Sequence, residues 1–189
     1  MRITIGMSGA SGLIYGIRLL EVLQSVPEVE THLVMTASAR MNIAIETDWD
    51  LADVQGLADQ VHPINDMAAS IASGSWRMDG MIVAPCSIKS LSAIVHSHAD
   101  NLLIRAADVT LKERRRLVLM PRETPLHAGH CELMLKACQL GAVIAPPMPA
   151  MYTRPQTVDD IVNHSVGRVL DLFDIDTGIV KRWQGVKNR

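Results

Sequence analysis

The fold of this chain is decided by its opening stretch, which reads Met1-Arg-Ile-Thr-Ile-Gly6-Met-Ser8-Gly9-Ala10-Ser11-Gly12-Leu-Ile-Tyr-Gly16-Ile-Arg18. Its β-branched start predicts a strand, the glycine and serine cluster predicts a tight turn, and the apolar periodicity of Leu13–Leu23 predicts a helix. Glycine lets a backbone approach a ligand closely, and the first amides of a helix have no partners within it. The turn therefore favours binding of an anion, most simply a phosphate.

The glycine spacing separates this turn from better-known loops. Gly6-x-x-Gly9-x-x-Gly12 is not the Gly-x-Gly-x-x-Gly pattern of dinucleotide folds, and no Gly-Lys-Ser/Thr ending marks a nucleoside-triphosphate loop. Neither Ser8 nor Ser11 has the Gly-x-Ser-x-Gly surroundings of a serine hydrolase. A structural alternative stays open, in which Ser8 or Ser11 only caps the helix.

Length and composition indicate one cytoplasmic α/β domain. With 189 residues, 48% of them hydrophobic, the chain can bury one substantial core, which we place at 1–185 with a short tail at 186–189. A net charge of −2 gives no general attraction for nucleic acid or an anionic membrane, and no apolar run approaches membrane-spanning length. The three cysteines lack Cys-x-x-Cys spacing and no signal segment precedes the domain, which is typical of a cytoplasmic protein. Few aromatic and many Met residues hint at burial against copies of itself.

Strands are predicted to alternate with helices. Five strands are expected near 3–5, 31–36, 78–87, 117–120 and 142–145, with helices near 13–23, 38–45, 88–96, 101–116, 127–140 and 158–173. The polar region 50–66 is expected to be a loop with a helical turn at 51–58, the segment 70–75 to be flexible, and the residues from Asp174 onward to form a polar tail. Such a chain forms a parallel sheet covered by helices, and ligands bind at the carboxyl ends of its strands. The polar clusters at 9–11, 36, 87–90, 122–123 and 152 all follow strands.

Charged residues on two elements are candidates for chemistry. Arg105 and Lys112 are seven apart and share one helix face with Asp108, so a solvated, ion-paired face is the structural alternative. Arg122 and Glu123 lie between two prolines, a frame that can aim a guanidinium at phosphate and a carboxyl group at a proton-transfer step. A structural ion pair between the two is the alternative.

Sulfur and imidazole groups give weaker signals. Cys86 precedes a helix start, where the pKa of a thiol falls, but a small buried residue at a strand end explains it equally well. The pairs His96/His98 and His127/His130 have no familiar metal-ligand spacing, so we expect ordinary histidines and no metal.

Seven motifs occur in one order: Gly6-Met-Ser-Gly-Ala-Ser-Gly12, Glu46-Thr-Asp48, Ala84-Pro-Cys-Ser87, Arg105-Ala-Ala-Asp-Val109, Leu111-Lys-Glu-Arg-Arg115, Pro121-Arg-Glu-Thr-Pro125 and Pro146-Pro-Met-Pro-Ala-Met-Tyr152. Together they resemble the UbiX-type flavin prenyltransferases, including those encoded beside phenolic acid decarboxylases. The resemblance runs from about Ile3 to Gly185.

The resemblance implies a flavodoxin-like Rossmann fold, a dodecamer, and transfer without a metal of the dimethylallyl group of dimethylallyl phosphate to N5 and C6 of reduced FMN. The product, prenylated FMN, is the cofactor of UbiD-type decarboxylases, so the chain would make a cofactor and decarboxylate nothing itself. Two other interpretations stay open: a phosphopantothenoylcysteine-type decarboxylase, and a non-catalytic flavin carrier that docks on a decarboxylase.

The resemblance also implies roles for individual residues. The expected contacts of the flavin nucleotide are Gly9, Ala10, Ser11, Thr36, Ser87, Ile88, Lys89, Ser90 and Arg122. The expected contacts of the prenyl donor are Tyr152 and Arg168, together with Arg105 and Lys112. The catalytic candidates are Glu123, Lys112, Ser11 and Glu46. Lys89 stands where some relatives have glycine.

Overall fold

The computed structural model describes residues 1–185. Its strands are β1 Arg2–Met7, β2 Glu30–Met35, β3 Gln60–His62, β4 Gly80–Cys86, β5 Arg116–Pro121 and β6 Val143–Ile144. Its helices are α1 Leu13–Leu23, α2 Ala37–Glu46, α3 Leu51–Gly56, α4 Ile88–Val95, α5 Leu102–Lys112, α6 Ala128–Gln139 and α7 Val158–Leu170. Short 3₁₀ turns cover Ser70–Ala72, Met151–Thr153 and Asp171–Phe173.

The strands form one sheet in the order β3-β2-β1-β4-β5-β6, and every neighbouring pair is parallel. The predicted α/β, flavodoxin-like fold is therefore confirmed. The strand order reverses direction at β1 and β4, and their separate connections leave a crevice between the loops that follow these two strands.

Two apolar layers cover the sheet because successive side chains of a strand point to opposite faces. Ile3 and Ile5 of β1 pack in one layer with residues of α1, α2 and α7, whereas Met81 and Val83 of β4 pack in the other with residues of α4, α5 and α6. All four side chains are fully buried. Helices α7 and α5 therefore lie on opposite faces of the sheet.

Gly16 allows α1 to pack directly on β4. A Cβ at Gly16 would lie 2.4 Å from the carbonyl oxygen of Ala84 and 2.8 Å from Cε of Met7. Any side chain here would push the helix off the sheet, so Gly16 fixes the start of α1 over the point where β1 and β4 diverge.

The sheet has one strand more than the five predicted. Strand β3 is three residues long, two of them exposed, and it pairs only with β2 at the sheet edge. A strand this short shows no alternation of apolar and polar residues, and its place in a polar stretch predicted a loop.

Helix α5 ends earlier than the sequence predicts. It stops at Lys112 and not at Arg116, because Arg114 has a positive φ of 57° that breaks the helix and Arg116 already belongs to β5. The basic run hides this boundary, since arginine and lysine favour a helix and remain exposed in either conformation.

Two segments predicted to be flexible or polar pack on the domain. In the segment 70–75, Ile71 is fully buried and the guanidinium of Arg115 donates to the carbonyl of Gly74. Beyond Asp174, where a polar tail is predicted, Ile175 is buried and Ile179 packs on α7 at Gly167. The predicted tail at 186–189 lies outside the described residues.

Candidate functional site

A cavity of about 1030 Å³ lies at the carboxyl ends of the strands, where the connections after β1 and β4 lead to helices on opposite faces of the sheet. It is large enough for a cofactor-sized ligand. The loops after four neighbouring strands of the sheet contribute to its wall: Gly9 after β1, Thr36 after β2, Ser87 after β4 and Glu123 after β5. Ile64, Ile88 and Ile104 add apolar surface.

Two helices begin at this wall with hydroxyl caps. Thr36 caps α2, its side chain accepting from the amide of Ala39 at 3.2 Å, and Ser87 caps α4 by accepting from the amide of Ser90 at 3.2 Å. Both helix starts bring partial positive charge to the cavity, and Lys89 in the first turn of α4 adds a full one. The cavity is thus suited to an anionic group such as a phosphate.

Ser8 ties together the loops that follow β1 and β4. It is fully buried, its hydroxyl donates to the carbonyl of Pro85 at 2.9 Å and accepts from the amide of Ser87 at 2.7 Å. The alternative in which Ser8 caps α1 is wrong, because these bonds across the crevice occupy its side chain.

Gly9 follows Ser8 where this loop meets the start of α2. A Cβ at Gly9 would lie 2.4 Å from Cβ of Ser38, so only glycine fits without displacing the cavity wall.

The amino terminus of α1 binds an anion that belongs to the protein. Glu46, the last residue of α2, accepts from the amide of Gly12 at 2.7 Å and from that of Leu13 at 3.2 Å. Gly12 is the cap residue of α1 and makes no side-chain bond, so Ser11 does not cap this helix either. The predicted phosphate position at these first amides is therefore taken by a carboxylate.

The loop after β5 places Glu123 in the cavity wall. The amide of Arg122 donates to the carbonyl of Cys86 at 3.2 Å, which fastens this loop to the end of β4. Glu123 accepts from the amide of Thr124 at 3.0 Å, and its side chain is exposed. Within residues 1–185, no ion pair joins Arg122 to Glu123. The alternative of a structural ion pair between these two residues is therefore wrong.

Of the predicted flavin contacts, most are brought together by the fold. The cavity wall contains Gly9, Thr36, Ser87, Ile88, Lys89 and Ser90. Ala10, Ser11 and Arg122 belong to the same loops but are not part of the lining.

The two cations of α5 are held away from the cavity. Nε of Arg105 donates to the carbonyl of Ala72 at 3.1 Å and its Nη1 to Asp108 at 2.9 Å, while Lys112 pairs with Glu113. Both residues are therefore ion-paired in the single chain, as the structural alternative predicted, and Arg105 also supports the segment 70–74 through Ala72.

Tyr152 and Arg168 also lie outside the cavity lining, and both lie near His164 of α7. The hydroxyl of Tyr152 lies 3.1 Å from Nε2 of His164, one helical turn before Arg168, whose Nη1 donates to Asp171 at 2.5 Å. Hydrogen bonds from Arg182 and then Arg168 hold the pKa of the Asp171 carboxyl below its usual range. Arg168 and His164 line a crevice of about 280 Å³ beside the Pro146–Met148 loop.

Cys86 is not an activated thiol. It is fully buried, and burial raises its pKa to about 12, which keeps the thiol protonated. The interpretation as a nucleophile is wrong, because Cys86 points into the core and not into the helix start.

The histidine pairs have ordinary surroundings. His96 and His98 line the cavity, and the rings of His127 and His130 are tilted by 33° with their centroids 3.6 Å apart. Across residues 1–185 there is no group of three or more His, Cys, Asp or Glu side chains arranged to hold a metal ion. No helix in that same range combines the length and apolarity needed to cross a membrane.

Sequence reasoning missed several residues of the site. Ile64 and Asn65 line the cavity from the connection after β3, and Asn101 lines it while its side chain caps α5 through the amide of Ile104. Only Asn101 carried a usable signal, since an asparagine before an apolar helical run is a typical cap. The contact between Glu46 and α1 joins residues 34 positions apart and has no local signal.

Known proteins share both the sequence and the structure of this chain. The family model described as Flavoprotein matches residues 1–170. The chain is 62% identical over 189 residues to the flavin prenyltransferase UbiX of Thauera aromatica, covering 100% of this chain and 97% of that protein.

Two solved structures superpose with a TM-score of 0.96 each. One is a dodecameric FMN-dependent UbiX-like decarboxylase from Escherichia coli O157:H7, 52% identical, covering 98% of this chain and 100% of that one. The other is AnUbiX in complex with FMN and dimethylallyl pyrophosphate, 53% identical, covering 98% of both chains.

Proposed function

Since this chain belongs to the flavoprotein family and, within it, to the UbiX-type flavin prenyltransferases, we propose that it joins the dimethylallyl group of dimethylallyl phosphate to N5 and C6 of reduced FMN. The product is prenylated FMN, and its recipient is a UbiD-type decarboxylase. The observation that carries the proposal is the cavity at the strand ends, where two hydroxyl-capped helices begin.

The residues of the cavity fit FMN. The starts of α2 and α4, with Thr36, Ser87 and Lys89, suit the phosphate, and the isoleucines of the lining suit an apolar ring system. Gly9 has no side chain and contributes its backbone to the cavity wall. When bound and reduced, FMN supplies two nucleophilic ring positions; the chain supplies binding, orientation and proton handling.

Glu123 is the acid of the proposed reaction. Breaking the allylic carbon–oxygen bond leaves the electron pair, and so negative charge, on the phosphate oxygen. Glu123 lines the cavity, and its carboxyl group is exposed there. A carboxyl group in this position can hold a proton and give it to the phosphate oxygen. Tyr152, Arg168, Arg105 and Lys112 are assigned to the same phosphate as hydrogen-bond donors and cations.

We assign these four donor-binding residues to neighbouring copies of the chain. In one chain they lie outside the cavity, with Arg105 and Lys112 on α5 and Arg168 on α7, on opposite faces of the sheet. Because these helices cover different faces, we assign the residues to more than one neighbouring copy. A dodecamer, the assembly of the similar Escherichia coli protein, provides such neighbours.

Mass spectrometry of the flavin tests the proposed function directly. The pure protein is incubated without oxygen with reduced FMN and either dimethylallyl phosphate or dimethylallyl pyrophosphate. We expect FMN to gain one five-carbon unit from the phosphate donor. Tightly bound but unmodified FMN with either donor would favour a flavin carrier, and release of carbon dioxide from a cysteine-containing substrate would favour a decarboxylase.

Glu123→Gln tests the proposed acid. It keeps the size of the side chain but cannot release a proton, so we expect prenyl transfer to slow by about 10²-fold or more while FMN affinity changes less than about twofold. Single-turnover rates and FMN titrations measure the two effects. The matched control is Glu28→Gln, an exposed carboxyl group before β2 at the opposite end of the sheet. Transfer at the wild-type rate in Glu123→Gln would remove this role.

A further inference from the structure

Tyr152 is held by aromatic rings from two other parts of the chain. Its hydroxyl lies 3.1 Å from Nε2 of His164, and the two rings meet edge to face with centroids 5.8 Å apart. The ring of Trp183 meets Tyr152 at an angle of 80° with centroids 5.5 Å apart. Although about half of Tyr152 is exposed, its hydroxyl therefore has a fixed partner.

His164 shares one face of α7 with two charged residues. Arg168 follows four residues later and Asp171 seven residues later, at the spacing that stacks side chains on a helix. Burial, and after it the charge of Arg168, lowers the pKa of His164, so the ring is neutral near pH 7. A neutral imidazole has one N–H group, and its position decides which way the bond to Tyr152 runs.

Only one direction of this hydrogen bond suits an anionic ligand. If the N–H of Nε2 donates to the tyrosine oxygen, the tyrosine keeps its own O–H for a phosphate oxygen. If the tyrosine donates to His164, its oxygen presents only lone pairs to the phosphate, and these lone pairs repel the negatively charged phosphate oxygens. A phosphate beside Arg168 therefore favours the Nε2–H form of His164.

We propose that His164 is a positioning residue that donates from Nε2 to Tyr152 and so directs the tyrosine O–H at the phosphate of the prenyl donor. The proposal rests on the proposed function, which gives Tyr152 and Arg168 to that phosphate. It adds a residue that the resemblance did not assign, and it explains why an exposed tyrosine is anchored to α7. His164 does not itself touch the donor.

A double-mutant cycle on ligand affinity tests the proposal. The protein is loaded with oxidised FMN, which does not attack the donor, and the Kd of dimethylallyl phosphate is measured by calorimetry. His164→Phe keeps the ring packing and removes the N–H group, so we expect Kd to rise about three- to tenfold, as for loss of one hydrogen bond. His164→Gln keeps an N–H group near Nε2, and we expect Kd within about twofold of wild type.

The interaction of the two positions separates positioning from packing. If His164 acts through the tyrosine hydroxyl, the double variant His164→Phe, Tyr152→Phe will bind no more weakly than Tyr152→Phe alone. FMN affinity and the urea midpoint of unfolding are expected to stay at wild-type values in every variant.

Several results would overturn the inference. The inference would be wrong if His164→Phe bound dimethylallyl phosphate as tightly as the wild type, or if His164→Gln bound it as weakly as His164→Phe. It would also be wrong if the double variant lost affinity by the product of the two single losses. Each of these results would leave the proposed function intact. A wild-type protein that neither binds dimethylallyl phosphate nor transfers its prenyl group would overturn the proposed function and, with it, this inference.

Discussion

At the scale of single residues, the cavity wall depends on very small side chains. Ser8 spans the crevice with one hydroxyl, and Gly9 lies where even a methyl group would meet Ser38 at 2.4 Å. Small residues here bring the loop after β1 and the start of α2 within contact distance. The position of helix α2, and of the Thr36 cap at the cavity, follows from that contact.

Gly9→Ala is expected to displace this wall. The added methyl must push α2 away or strain the loop, a cost of about 1–3 kcal/mol for overpacking, and FMN affinity should fall with it. Urea unfolding and FMN titration measure the two effects. Gly56→Ala is the matched control, because a Cβ at Gly56 would meet no atom within 4 Å and alanine favours the helix. Unchanged stability and FMN affinity in Gly9→Ala would contradict the clash.

At the scale of elements, the edge strand β3 is attached to β2 by a pair of histidines. Nδ1 of His32 lies 2.9 Å from Nε2 of His62, their rings stack, and His32 is 2% exposed. Oε1 of Glu30 accepts from Nε2 of His32 at 3.2 Å, and Arg2 in turn pairs with Glu30. Strand β3 has only three residues, so its attachment to β2 would be weak without the contact between His32 and His62.

Acid is expected to weaken this edge. Burial lowers the pKa of His32, and the charge of His62 lowers it further; burial also lowers the pKa of His62, against a smaller opposite effect of Asp66. Both values fall below the 6.5 of a free histidine, so as the pH drops below 6.5 the unfolded chain takes up protons first. The free energy of unfolding should be at its full value above that pH and decline below it.

Urea midpoints between pH 7 and pH 5 measure the decline. We expect a shallower dependence on pH in His62→Asn, which removes one of the two protonation sites. His98→Asn, at an exposed histidine, is the control and should keep the wild-type slope. Equal slopes in all three proteins would show that the pair does not couple protonation to folding.

The sequence predicts elements better than the contacts between them. The loops of Gly9, Thr36 and Ser87 are predicted to share one edge because each follows a strand of a parallel sheet, and the cavity confirms that they do. Strand β3 is too short for a periodic signal. The cap that Glu46 provides to α1 depends on how two helices pack, which no local pattern encodes.

At the scale of the whole molecule, the cavity of one chain is lined by most of the flavin candidates and by none of the candidates for binding the prenyl donor, which our proposal assigns to neighbouring copies. Tyr152 and Arg168 were predicted only from the resemblance, because their spacing of sixteen residues gives no sign of the bond that ties Tyr152 to His164, one helical turn before Arg168. Close to them, Met148, Met151 and Trp183 are exposed by 72%, 66% and 61%. Large apolar groups clustered at a candidate site favour a surface that a second copy covers.

Met148→Asp is expected to break the assembly. A charge in a buried apolar interface is costly, so the variant should elute as a smaller species and lose prenyl transfer while still binding FMN, whose candidate contacts lie within one chain. Size-exclusion chromatography with light scattering measures the change. Met148→Leu keeps the apolar surface and should assemble as wild type. A Met148→Asp protein of unchanged size would place the interface elsewhere.

The strand order also sets when the chain can fold as it leaves the ribosome. Strand β1 lies at the centre of the sheet and pairs with β4 through Ile3 and Gly80, so its second partner is synthesised long after the first. Until then the nascent β1–α1–β2 unit has an open hydrogen-bonding edge and an unclosed crevice. The flavin cavity is thus a late product of synthesis, and chains interrupted before β4 lack the wall that Ser87, Lys89 and the rest of α4 supply.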